Sequence, residues 1–170
     1  MSIKRLLFSG IVLLWLIPNV YSQEAKFKAL FMYNFTKYIE WPASKQQGNF
    51  VIGVFGPSPI ISELEIIAQK KKVGTQTIVV KQVDNPADGK NCHILFVPEG
   101  KSSKIEELAA NCSGNGVVII GDKAGLAKTV AGLNYITVDG KQSFEVSKGN
   151  LEKQGVKVNS VLLSLGVVVD

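Results

Sequence analysis

Few side chains in this 170-residue chain are of a type that does covalent chemistry: His93 is the single histidine, and Cys92 and Cys112 are the two cysteines. An acyl-transfer relay would have to use His93. That residue opens the apolar run "HILFV", which reads as a buried strand. In open α/β sheets reactive groups gather at the opposite, carboxyl ends of the strands, so His93 is expected to pack at the amino edge. The cysteines stand twenty positions apart, far from the C-x-x-C spacing of redox and zinc sites. Loops of the types GxGxxG and GxxxxGK[ST], and the GxSxG elbow, are absent. The sequence therefore offers no catalytic residue, no metal site and no cofactor.

The carboxylates are poorly paired along the chain. Glu63 and Glu65 are two apart and cannot share a helix face. Glu106 and Glu107 open a helix, where negative charge favours the dipole. Glu99 and Asp122 differ, because each follows a predicted strand at the ligand-prone edge. With Ser58, Lys101 and Ser102 they form a candidate polar crevice for a small ligand; ordinary loop polarity is the alternative.

The elements that would position these residues follow from periodicity. "FVIGVF" (50–55), a β-branched stretch from Thr75 to Val83, "HILFV" (93–97) and "VVIIG" (117–121) read as buried strands. Between them, Ser58-Pro59 opens a helix over Ile60 to Ala68, and a capping box at Ser103 to Glu106 opens another to about Ala110. Strands alternating with helices indicate a parallel sheet covered on both faces. "LNYITVDGKQSFEV" adds a hairpin turning at Asp139-Gly140, and a short helix is expected near Asn150 to Lys153. The fold class is thus α/β, a three-layer, Rossmann-like sandwich: a mostly parallel sheet with a C-terminal antiparallel hairpin. "SVLLSLGVVV" (160–169) mixes helical and strand signals.

The amino terminus reads as an export signal. Lys4 and Arg5 precede an apolar run from Leu6 to Ile17, and Ser22 offers a small residue for cleavage. Removing residues 1–22 would leave a single domain over 23–170, with no span of the membrane, and the formal charge of +5 would fall to +3. The lysine cluster at 70–72 sits at a predicted helix end and gives no case for nucleic acid. In an oxidising compartment an even pair of cysteines suggests a disulfide, Cys92 to Cys112, since both are expected at the amino edge of neighbouring strands.

"FMYNFTKYIEWP" (31–42) reads as an amphipathic helix stopped by Pro42. At 100° per residue, Phe27, Leu30, Phe31, Asn34, Phe35, Tyr38 and Trp41 fall on the expected core face, with Asn34 reaching a neighbouring loop or backbone. Tyr33, Lys37 and Glu40 fall on the outer face and are the candidate partner-contact residues.

That same stretch, extended to "KALFMYNFTKYIEWP", resembles the opening of the YfiR/HmsC family of exported bacterial proteins, with Tyr33, Asn34, Phe35, Trp41 and Pro42 carrying the motif. "FVIGVFG", "CHILFVP" and "FEVSKGNLEKQGVKVNSVLLSLGVVV" continue the resemblance over nearly the whole chain beyond the signal. It implies a periplasmic Rossmann-like domain without catalytic activity that represses a membrane-bound diguanylate cyclase through that enzyme's outer portion. A sensor kinase is the alternative membrane partner, and a homodimer is compatible with either. The resemblance also favours a helix for residues 159–166. It brings no second, C-terminal cysteine pair, which better-known members carry.

Overall fold

Alternating side chains along the central strands divide the core into two halves. A computed structural model describes residues 17–169. Its main sheet runs β3 (Lys72–Val73), β4 (Gln76–Val83), β2 (Phe50–Phe55), β5 (Ile94–Val97), β6 (Val118–Gly121), β7 (Leu133–Val138), β8 (Lys141–Val146), β10 (Val167–Val168). Strands β4, β2, β5, β6 and β7 are parallel; β8 turns back against β7, and β10 lies parallel to β8. Ile52, Val54, Ile94, Phe96, Val118 and Ile120 face one half of the core, towards α1 (Ile17–Phe35) and α2 (Ile60–Ala68). Phe55, Leu95, Val97 and Ile119 face the other, towards α3 (Ile105–Cys112). This is the expected Rossmann-like α/β architecture, and Asp139 and Gly140, both at positive φ, make the expected hairpin turn.

The first helix departs from expectation in two ways. It ends at Phe35, well before Pro42, because Ile39–Glu40 forms a short strand β1 paired antiparallel with β9 (Lys157–Val158). Pro42 instead opens a 3-10 turn at Ala43–Lys45. The buried face is also rotated: Ala25, Ala29, Met32 and Phe35 are buried, whereas Phe27 and Leu30 are 47% and 51% exposed. Small residues let the helix approach the sheet closely, and a pattern weighted towards aromatics misses that. The aromatics form a flank instead, with the Phe27, Phe31 and Phe35 rings at successive centroid distances of 6.1 Å and Phe144 4.8 Å from Phe35. The ambiguous C-terminal stretch is both things in turn: α5 (Ser160–Leu165), then β10. Before it, α4 (Lys148–Lys153) is capped by Ser147.

The disulfide is corrected: Cys92 and Cys112 are free, buried thiols, not at bridging distance. Cys112 is the last residue of α3 rather than part of the following loop. Each sulfur fills a different notch. Cys92 Sγ lies 2.5 Å from where a Cβ on Gly53 would be, and Cys112 Sγ 3.0 Å from the same point on Gly89. Burial pushes both thiols up to about 11. Lys4, Arg5 and most of the apolar run of the export signal lie outside the described residues. Among the described residues no helix is long and apolar enough to cross a membrane.

Candidate functional site

The order β4-β2-β5 creates a switch point. The chain leaves β2 in one direction through α2 to β4, then returns to place β5 on the other side of β2. Ligands of open α/β sheets bind in the crevice outside the carboxyl ends of strands at such a point. Here that crevice has a volume of about 230 Å³ and is lined by Ser58, Pro59, Ile60, Phe96, Pro98, Glu99 and Asp122, with Glu24, Ala25 and Lys28 reaching across from α1.

Each lining group has a local cause. Ser58 Oγ accepts from the N–H of Ile60, the first residue of α2, at 3.4 Å. Glu99 opens the 3-10 turn Glu99–Lys104 that follows β5, and Asp122 directly follows β6. Lys28 Nζ is held between two carboxylates, 2.6 Å from Asp122 Oδ1 and 2.6 Å from Glu24 Oε1. Tyr135 OH donates to Lys28 O at 2.6 Å and fixes that turn of the helix over β7.

The electrostatics are lopsided. Burial alone would lower the Lys28 pKa, but its hydrogen bonds to Asp122 and Glu24, and their charges, raise it on balance. Burial raises the Asp122 pKa more than the hydrogen bond and charge of Lys28 lower it, and Glu24 and Glu99 add smaller pushes upward. The two partners shift the same way because two carboxylates together outweigh burial at Lys28, whereas burial outweighs the one lysine at Asp122.

Three of the five predicted crevice residues, Ser58, Glu99 and Asp122, are brought together, and Lys101 does not line the crevice. Ser102 lies in the neighbouring 3-10 turn, half-buried, but does not line the crevice. Sequence reasoning missed Lys28 and Glu24. Their i,i+4 spacing was a signal for the local pair, but nothing local places them beside Asp122.

The second candidate region is the end of α1. Lys37 Nζ lies 5.3 Å from the Tyr33 ring centroid and donates to Asn34 Oδ1 at 2.7 Å. Asn34 thus closes the helix's own last turn and does not reach a neighbouring loop. Tyr33 is half-buried against the core rather than outward, while Lys37 and Glu40 are exposed. Glu40 stands opposite Lys157 in the β1–β9 ladder.

Trp41, Pro42 and His93 belong to neither region. Trp41 is buried edge-on to Phe50 at 4.9 Å, and its Nε1 donates to His93 O at 3.2 Å. The Pro42 ring covers Gly116, whose φ of +68 and lack of Cβ make room for it. His93 is buried at the amino edge, as expected; its Nδ1 accepts from Val51 N at 3.0 Å, so its Nε2 carries the proton donated to Lys45 O at 2.7 Å.

Residues 25–167 match the YfiR/HmsC-like family. The chain belongs to that family. No curated protein matches the chain. The YfiR/HmsC-like match takes in the whole motif of Tyr33, Asn34, Phe35, Trp41 and Pro42, and every crevice residue except Glu24. The geometry gives that motif a physical role: Phe35, Trp41 and Pro42 pack the corner from α1 into β2, and Asn34 closes the helix.

Proposed function

We propose that this chain is a periplasmic, non-enzymatic regulatory protein that binds the outer domain of a membrane sensor of the diguanylate cyclase type and represses its cytoplasmic output. Membership of the YfiR/HmsC-like family across residues 25–167 carries the reading, since that family is known for periplasmic regulators of cyclic di-GMP signalling. Export with cleavage near Ser22 fits the same reading. The contact surface we assign is Tyr33, Lys37 and Glu40. There a cation held over an aromatic ring presents a basic point to a carboxylate on the partner, and Glu40 supplies the opposite charge beside it. A sensor kinase would offer the same kind of outer domain.

The test is cellular. Deleting the gene should raise cyclic di-GMP, re-expression should lower it, and Lys37→Glu should fail to restore repression while the purified variant stays folded. Unchanged cyclic di-GMP on deletion would sink the cyclase as partner.

A further inference from the structure

We infer that the crevice at the carboxyl ends of β2, β5 and β6 is a binding site for a small protonated amine with a short apolar body, whose ammonium group competes with Lys28 for Asp122. This goes beyond the sensor-docking reading and does not depend on it.

The sign of the ligand's charge follows from the lining. Glu24, Glu99 and Asp122 face one cation, Lys28. Lys28 engages Asp122 through Oδ1, and among the described residues no ion pair involves Asp122 Oδ2 or the Glu99 carboxylate. Both residues line the crevice; Asp122 is only partly buried and no buried side-chain oxygen among the described residues lacks a partner, so its Oδ2 is reached by solvent, and Glu99 is exposed. An anion entering there would meet uncompensated negative charge at close range. The chain's own lysine already shows what the position accepts: an ammonium 2.6 Å from Asp122.

The cation is organic rather than a metal ion. Among the described residues no three histidine, cysteine or acidic side chains converge closely enough to hold a metal. Beside the carboxylates the walls are apolar, formed by Ala25, Pro59, Ile60, Phe96 and Pro98. The volume of about 230 Å³ has room for roughly eight heavy atoms, taking the share of a liquid water molecule for each. A short alkyl chain against Ile60 and Phe96, with its ammonium on Asp122 Oδ2 and Glu99, fills that space.

The experiment is an NMR titration of the purified chain with n-butylamine hydrochloride, and separately with sodium butyrate, at matched ionic strength and neutral pH. Butylamine should give saturable shifts at the amides of Lys28, Glu99 and Asp122 with a millimolar Kd, and butyrate none. Asp122→Asn should weaken binding about tenfold, and Lys28→Met should tighten it severalfold by removing the competitor. Glu99 is exposed, so Glu99→Gln carries the same test if Asp122→Asn fails to fold. The inference is overturned by equal shifts with butyrate, by no saturable shifts with butylamine, or by an unchanged Kd in both carboxylate variants. Weaker binding in Lys28→Met would overturn the competition.

Discussion

The two edges of the sheet treat polar groups in opposite ways. At the amino edge His93, Trp41 and Lys45 leave little unpaired: His93 bridges Val51 N and Lys45 O, Trp41 donates to His93 O, and Lys45 Nζ donates to the carbonyls of Lys90 and Cys92. At the carboxyl edge Glu24 and Asp122 share one lysine, and Glu99 lines the same crevice. A site that holds the fold pairs its donors and acceptors with one another. One that can receive something keeps acceptors open and its charge uncompensated. The single histidine, the residue a search for chemistry seizes on first, belongs to the closed edge.

The largest effect should come from opening that closed edge. Trp41→Ala should destabilise the protein by about 3–5 kcal/mol, the range for emptying a buried aromatic site, measured by denaturant melts. A loss below about 1 kcal/mol would mean that Trp41 is no part of a lock.

Thiol chemistry comes next. With both cysteines at about 11 instead of 9.0, the thiolate fraction at neutral pH falls roughly a hundredfold, ten for each unit. The folded protein should therefore label slowly, and the unfolded, unreduced chain should give two thiols. A count of zero would restore the bridge that the structure removes.

His93→Phe keeps a ring against Phe50 but leaves Val51 N without its partner and Lys45 O with the Gln76 Nε2 donor alone, at a cost of about 1–3 kcal/mol. It should also change the pH dependence. Burial, opposed by the bond to Lys45 O and aided by the Lys45 charge, holds the His93 pKa below 6.5. The unfolded chain then binds the extra proton first, so stability is full above 6.5 and falls as pH drops below it. Asp122 runs the other way. Its raised pKa means that just above 3.8 the folded state holds the proton better, so this residue adds stability as pH falls through that window. Melts of His93→Phe and Asp122→Asn against pH should remove slopes of opposite sign. Slopes of one sign would end the contrast between the edges.

Lys37→Ala should matter least to the fold, within about 0.5 kcal/mol, because the side chain is exposed. A larger loss would make the end of α1 structural rather than a surface for docking.

Much of the architecture was legible because β2, β5 and β6 are short apolar runs buried on both faces, and because Asp139-Gly140 spells its turn. The crevice was half legible. The rule of carboxyl ends finds Ser58, Glu99 and Asp122 from their places after strands or before a helix, whereas Lys28 belongs to an element that no local signal lays across that edge. Errors came where distant partners overrode local pattern. Ile39–Glu40 is drawn out of the helix by Lys157–Val158, and the helix turns Ala29 and Met32 inward because of what they pack against. The cysteine pairing failed because Cys112 sits at the end of α3, in a notch of its own.

The β1–β9 ladder has a consequence for timing. Ile39 and Glu40 pair with Val158 and Lys157, and Asn159 N donates to Tyr38 O at 2.8 Å. The corner leaving the first helix is therefore clasped by a segment near the other end of the chain. Contacts so distant in sequence form slowly and late. A chain emerging amino end first cannot close this clasp until almost all of it has appeared, so that corner stays unlatched through nearly the whole of synthesis.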